Sequence, residues 1–147
     1  KDAFFCIQEI NIGLAADVGT LQRLPHLIPE GLVRELAFTG RRFKSDEALR
    51  FGLVNQVYDS QEEMLTAVMG VAREIAKKGP LAVTSTKEIL NYNRDHSLED
   101  SLNYVALWNN AMGVSDEMSE TFKAKSEKRD PDFEDLLPIR KYMDGLD

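Results

Sequence analysis

Two carboxylates give this 147-residue chain its first candidate chemistry. Glu9 and Asp17 lie in QEINIGLAADVGTLQRLP, residues 8 to 25, and flank a small, apolar, glycine-containing stretch. An acid in apolar surroundings holds its proton more tightly, because desolvation disfavours the charged form. A second acid nearby splits the two affinities, so one group can keep a proton while the other accepts one. Such a pair can move a proton between two carbons of a bound molecule. The same spacing has a plainer reading. Asp17 would be a helix N-cap, a role that stabilises by roughly 1 kcal/mol, and Glu9 an exposed strand end. Spacing alone favours the plainer reading and leaves the other open.

The elements that must position these acids are legible in outline. AFFCIQEI reads as a largely buried strand that ends near Glu9. A tight connection through Gly13 would bring both acids to one edge. From Asp17 the pattern turns helical, with Val18, Leu21 and Leu24 at spacing three and Pro25 as the stop. PEGLVRELAFTG predicts a second helix that Gly40 closes. SDEALRFG predicts a short helix capped by Ser45 and ended by Gly52, and LVNQVY a short strand. Ser60 and Glu63 form a capping box for a long helix with Leu65, Val68, Ala72 and Ile75 on its inner face. Gly79-Pro80 starts another helix, PLAVTSTKEILNY. Ser97 opens the next, with Leu98, Leu102, Val105 and Met112 in register. A charged helix over SDEMSETFKAKSEKR and an extended tail from Asp130 complete the chain. One strand with a train of helices lacks sheet partners, which suggests a piece of a longer protein.

Other residues narrow the function. Hydrophobic residues make up 43% and charged residues 29%, ordinary values for a globular chain. The net charge of −7 argues against wholesale nucleic-acid binding. The single cysteine, Cys6, excludes an internal disulfide framework and reads as a small buried hydrophobe. No apolar run reaches the roughly 20 residues of a membrane span, and the start lacks the features of a signal peptide. His26 and His96 have no metal-ligand spacing. Thr84, Ser85 and Thr86 have no His–Asp partner for a nucleophile triad. No phosphate-binding glycine pattern is present. Tyr104 and Trp108 fit core or subunit contact. Lys123, Lys125, Lys128 and Arg129 form either a solvated helix face or a phosphate site.

Taken together, IQEINIGLAADVGTLQRLP, ELAFTGRRFKSDEALRFGLVNQVY, PLAVTSTKEIL and SEKRDPDF resemble the second half of the crotonase, or enoyl-CoA hydratase/isomerase, family. The resemblance runs from about Asp2 to Phe133. Its strongest piece is TGRRFKSDEALRFGLV. It implies an α/β fold of the ββα-spiral kind, mostly helical in this chain. Residues 1–58 would complete the spiral core and carry the acids, 59–130 would form a helical trimerisation and CoA-proximal region, and 131–147 a tail.

Within the family, hydratases have a glycine where Asp17 stands, while Glu9 matches their water-handling glutamate. GLAADVGTLQRLP, with YNRDHSLEDSLNYVALWN, is similar to the branch that isomerises 3,5-dienoyl-CoA to 2,4-dienoyl-CoA in the β-oxidation of unsaturated fatty acids. The resemblance therefore implies a proton shuttle in which Asp17 works at C2 and Glu9 at C6. It implies an acyl-CoA thioester as substrate, no metal or redox cofactor, and a homo-oligomer, trimer or hexamer. It makes Lys128 and Lys125 candidates for CoA phosphates, although related enzymes often carry an apolar or aromatic residue at Lys125. The family's oxyanion-hole N–H groups belong to a first half absent from this sequence, so the chain alone is expected to be inactive. Two alternatives stand beside this reading: a hydratase-like activity, or a non-catalytic assembly or RNA-binding module. The compartment would be peroxisome or mitochondrion in a eukaryote and cytoplasm in a bacterium.

Overall fold

The computed structural model describes residues 1–112 and 115–136. Contacts divide the chain into two units, Lys1–Val68 and Met69–Asp147. The tail expected from 131 is without helix or strand as far as residue 136, and its remainder lies outside the described residues.

In the first unit, strand β1 is only Phe4–Phe5, and it pairs antiparallel with β2, Phe43–Lys44. The pairing sets Phe4 opposite Lys44 and Phe5 opposite Phe43. The expected strand thus stops well short of Glu9. After Ile7 the chain tightens into a 3₁₀ turn, Glu9–Ile12, closed by Gly13 in the left-handed region at φ 79°. A left-handed residue is costly for any side chain with a Cβ, which is why glycine stands there. Helix α1 is Thr20–Arg23, and a second 3₁₀ turn, Leu24–His26, follows it directly. Pro25 lies inside that turn and does not end the run. Helix α2, Glu30–Thr39, ends at Gly40 as the sequence predicts, with φ 59° at the glycine. Helix α3 is Ser45–Arg50. Ser45 does not cap it: the residue is buried, and its hydroxyl donates to the Lys1 carbonyl. LVNQVY forms no strand.

The core of this unit is small. Ile7, Ala16, Ile28, Val33, Leu36, Phe43 and Ala48 form one buried cluster. Phe43 is its largest member, at 2% exposed. Burying such a side chain stabilises by roughly 1.5–3 kcal/mol. Arg41 ties α2 to α3: its guanidinium donates to Glu35 at 2.6 Å and to both carboxylate oxygens of Glu47 at 2.8 and 2.7 Å.

Helix α4, Gln61–Ala76, starts on the predicted capping box. The Glu63 N–H donates to Ser60 Oγ at 3.1 Å, and the Glu63 carboxylate reaches back to the Asp59 N–H at 3.2 Å. Its inner face is not inner among the described residues. Leu65, Val68 and Ile75 are each about half exposed, and no residue of α4 is buried.

The second unit holds α5, Pro80–Tyr92, α6, Leu98–Met112, and α7, Asp116–Glu127. Ser97 and Ser115 cap α6 and α7 through the N–H groups of Asp100 and Met118. Glu117 of α7 caps α5 from outside, accepting from the Leu81 N–H at 2.7 Å and the Ala82 N–H at 3.3 Å. That contact satisfies donors a helix start leaves open. Helix α6 buries Ser101 and half-buries Tyr104, Val105 and Trp108, but leaves Leu98 and Leu102 exposed, so the predicted register holds at Val105 and not at the leucines. An aromatic ladder links α5 to α6: Tyr92 stacks on Tyr104 at 3.9 Å and on His96 at 3.6 Å. Trp108 continues it at 5.7 Å from Tyr104. The stacked rings bring large apolar surfaces together at the α5–α6 contact.

Candidate active site

Glu9 is the first residue of the 3₁₀ turn, and Asp17 sits in the irregular segment between that turn and α1. Neither has the role that spacing alone favoured. Glu9 is not a strand end. Asp17 does not cap α1, whose N-cap is Gly19 with no side-chain cap bond. Gly19 is left-handed at φ 92° and interposes a bend between Asp17 and the helix.

Backbone bonds fix the first acid relative to the loop of the second. The Gly13 N–H donates to the Ile10 carbonyl at 3.3 Å and the Leu14 N–H to the Glu9 carbonyl at 3.0 Å. Core residues pin both ends: Ile7, two before Glu9, and Ala16, one before Asp17, are both buried. Asp17 itself is exposed and Glu9 half-buried. Neither carboxylate has a hydrogen-bond or ion-pair partner among the described residues. Acids not committed to structural pairs remain available for proton transfer.

The loop's other feature is apolar exposure. Ile12, Leu14 and Val18 are 71, 57 and 73% exposed. Single exposed hydrophobes are ordinary, but three within seven residues, interspersed with the two acids along the chain, offer apolar surface that a bound group would cover. The segments on either side of the loop line a cavity of about 260 Å³: Cys6 and Ile7 before the turn, Thr20 and Leu24 beyond Asp17, with Phe43 and Leu53.

In the second unit, Lys125 lies in the last turn of α7 and Lys128 is its C-cap. Lys128 is left-handed at φ 55°. Arg129, part of the same basic run, is committed: its guanidinium pairs with Glu120 at 2.5 and 3.0 Å and with Glu127 at 2.6 Å. Glu120 also accepts from the Asp132 N–H at 2.9 Å. The Arg129 bonds, then the Asp132 N–H, hold the Glu120 carboxyl down at about 2. Lys125 and Lys128 are exposed and have no ion-pair partner among the described residues. The run therefore splits into one structural arginine and three exposed lysines, Lys123, Lys125 and Lys128, with no ion-pair partner among the described residues, a division that sequence spacing does not reveal. Among the described residues no group of His, Cys, Asp or Glu is arranged to hold a metal, and no helix is long and apolar enough to cross a membrane.

The family model for enoyl-CoA hydratase/isomerase matches residues 1–136. The chain belongs to the enoyl-CoA hydratase/isomerase family. It is 50% identical over 131 residues to a protein of Homo sapiens named Delta(3,5)-Delta(2,4)-dienoyl-CoA isomerase, mitochondrial, covering 88% of this chain and 40% of that protein. It is 46% identical over 136 residues to the peroxisomal protein of the same name in Arabidopsis thaliana, covering 92% and 49%. Among solved structures, an enoyl-CoA hydratase from Mycobacterium marinum aligns with a TM-score of 0.83 and 34% identity over 90% of this chain and 52% of its own. The fold is thus the crotonase α/β fold, and the chain spans about half the length, or less, of the relatives it matches.

Proposed function

We propose that this chain is the acid-bearing part of an enzyme that isomerises 3,5-dienoyl-CoA to 2,4-dienoyl-CoA. The observation that carries the reading is the 50% identity, over 88% of the chain, to a protein named for that reaction. Identity to the hydratase structure is lower, at 34%. The two free acids supply the chemistry. The Asp17 carboxylate takes the proton from C2 of the thioester. The electron pair of that C–H bond delocalises through both double bonds to C6. Protonated Glu9 delivers its proton at C6, leaving double bonds at C2 and C4. The thioester oxygen carries negative charge midway, and N–H donors aimed at it would stabilise that charge. We assign those donors to the part of the family fold that these 147 residues do not span.

The exposed Ile12, Leu14 and Val18 suit an acyl chain beside the acids. Lys125 and Lys128 would bind CoA phosphates as point charges. The reaction shifts protons and leaves oxidation state unchanged, so it calls for no redox cofactor, and none of its steps needs a metal. In the proposed division, residues 1–58 carry the acids, 59–130 form the assembly region and 131–147 the tail. The exposed apolar stripes of α4 and α6 favour burial in a homo-oligomer, trimer or hexamer. The relatives' names favour mitochondrion or peroxisome if the protein is eukaryotic; a bacterial one would act in the cytoplasm.

The test is turnover by the full-length protein that carries this chain, offered a 3,5-dienoyl-CoA and a 2-enoyl-CoA. Isomerisation of the first, well above hydration of the second, is expected. Hydration alone would favour a hydratase with an altered site. The 147-residue chain by itself is expected to be inactive, and measurable isomerisation by it would contradict the assignment of the N–H donors.

A further inference from the structure

We propose that Gly40 is a positioning residue for Glu9: the end of α2 is the seat on which the 3₁₀ turn bearing that acid rests. The inference rests on the reading of Glu9 as a proton-transfer acid and adds to it the element that holds the acid in place.

Two independent contacts join the end of α2 to the turn. The first is steric. A Cβ built on Gly40 would lie 2.6 Å from Asn11 Nδ2, 3.0 Å from Asn11 Oδ1 and 2.9 Å from Ile10 Cγ2. Both residues belong to the turn that Glu9 begins. The Asn11 amide is the end of a flexible side chain and can swing aside. Ile10 Cγ2 sits on a β-branched carbon with few rotamers, so relief there has to come from the backbone of the turn. The second contact is polar. Cys6 Sγ lies 3.1 Å from the Gly40 carbonyl and 2.9 Å from Gln8 Oε1, so its one S–H is shared between the Gly40 carbonyl and the residue just before the turn.

Gly40 has two separable properties. As the C-cap of α2 it is left-handed, at φ 59°, which any glycine C-cap satisfies. Closing a helix does not require the absence of a Cβ against a neighbouring element; seating the turn does. Gly13 makes the contrast plain, since it is also left-handed but has nothing within 4 Å of a built Cβ. The three atoms nearest the built Cβ all belong to residues 10 and 11, so the contact bears first on the Glu9 end of the shuttle.

The experiment compares Gly40→Ala and Gly40→Asn in the full-length protein. Both add the Cβ, and asparagine tolerates the left-handed backbone better. A displacement near 1 Å at a reacting group can cost about 10²-fold in rate. Both variants should therefore lose about 10²-fold in kcat for dienoyl-CoA isomerisation with KM unchanged. Solvent-deuterium exchange at C2, the Asp17 end, should persist while protonation at C6 fails. Adding Ile10→Ala and Asn11→Ala, which remove the atoms the new Cβ meets, should restore much of kcat. Wild-type kcat in either variant overturns the proposal. So does parallel loss of exchange at both ends, or failure of both variants to fold, since Gly40 would then be a fold residue only. Glu9→Gln, assayed alongside, separates the two readings. If it turns over at the wild-type rate, the role of Glu9 fails. If it is inactive while the Gly40 variants are not, only the seating role fails.

Discussion

The Leu14 N–H donates to the Glu9 carbonyl across 3.0 Å, closing the turn that carries one candidate acid directly onto the loop that carries the other. Asp17 follows three residues on, past a buried Ala16. A backbone bond at one end and a core residue at the other leave the segment between the acids little room to drift. A proton relay with two separated ends requires such order.

Gly13 completes that turn at φ 79° in open space. Gly13→Ala should therefore cost only backbone strain, about 1–2 kcal/mol. Urea unfolding of the full-length protein checks this. Gly13→Asn should cost less than Gly13→Ala, and equal losses would mean that the side chain meets something after all.

Glu9→Gln keeps shape and hydrogen-bonding capacity but removes the exchangeable proton. A positioned acid or base contributes roughly 10²–10⁴-fold, so kcat for the dienoyl substrate should fall by that order while KM changes little. Steady-state kinetics decide it. A raised KM at constant kcat would make Glu9 a binding group.

Phe43 anchors the first unit's core from β2 and faces Phe5 across the strand pair at 6.5 Å between ring centroids. Phe43→Ala should destabilise by about 3–5 kcal/mol. Because the core cluster also contains Ile7 and Ala16, which pin the acid loop, loss of activity should track loss of folded protein in a thermal melt.

Glu120 gives the protein a defined acid response. Its carboxyl is held at about 2 by Arg129 and the Asp132 N–H, against an ordinary 4.5. A depressed acid stabilises the folded state fully above its unfolded value, and that contribution is lost as pH falls through the folded value. Stability should therefore drop between about pH 4.5 and 2, and Glu120→Gln should flatten that drop. Urea midpoints across the range test it; identical pH profiles would contradict the clamp.

Much of the fold was legible because helix signals are local. Gly40, the Ser60–Glu63 box, Gly79-Pro80, Ser97 and Ser115 each mark a helix end where the sequence predicts one. The extent of the strand is less legible because pairing is not local: AFFCI is apolar throughout, yet only Phe4 and Phe5 meet partners, and those lie 40 and 38 residues on in β2. The turn at Glu9 replaces the rest of the strand, an outcome that rests on closure by left-handed Gly13 rather than on hydrophobicity. Glu9 and Asp17 stand out in the sequence as candidate acids, yet their spacing alone favours a cap and a strand edge. The resemblance of the whole pattern, not the spacing, raised them. The commitment of Arg129 to Glu120, nine residues back across α7, was out of reach of a charge count.

Asp17→Asn in the full-length protein tests the central claim most directly, because it removes only the base at the C2 end. Isomerisation of a 3,5-dienoyl-CoA should fall by roughly 10²–10⁴-fold, deuterium exchange at C2 should fall with it, and substrate affinity should be retained. Turnover near the wild-type rate, with C2 exchange intact, would contradict that claim.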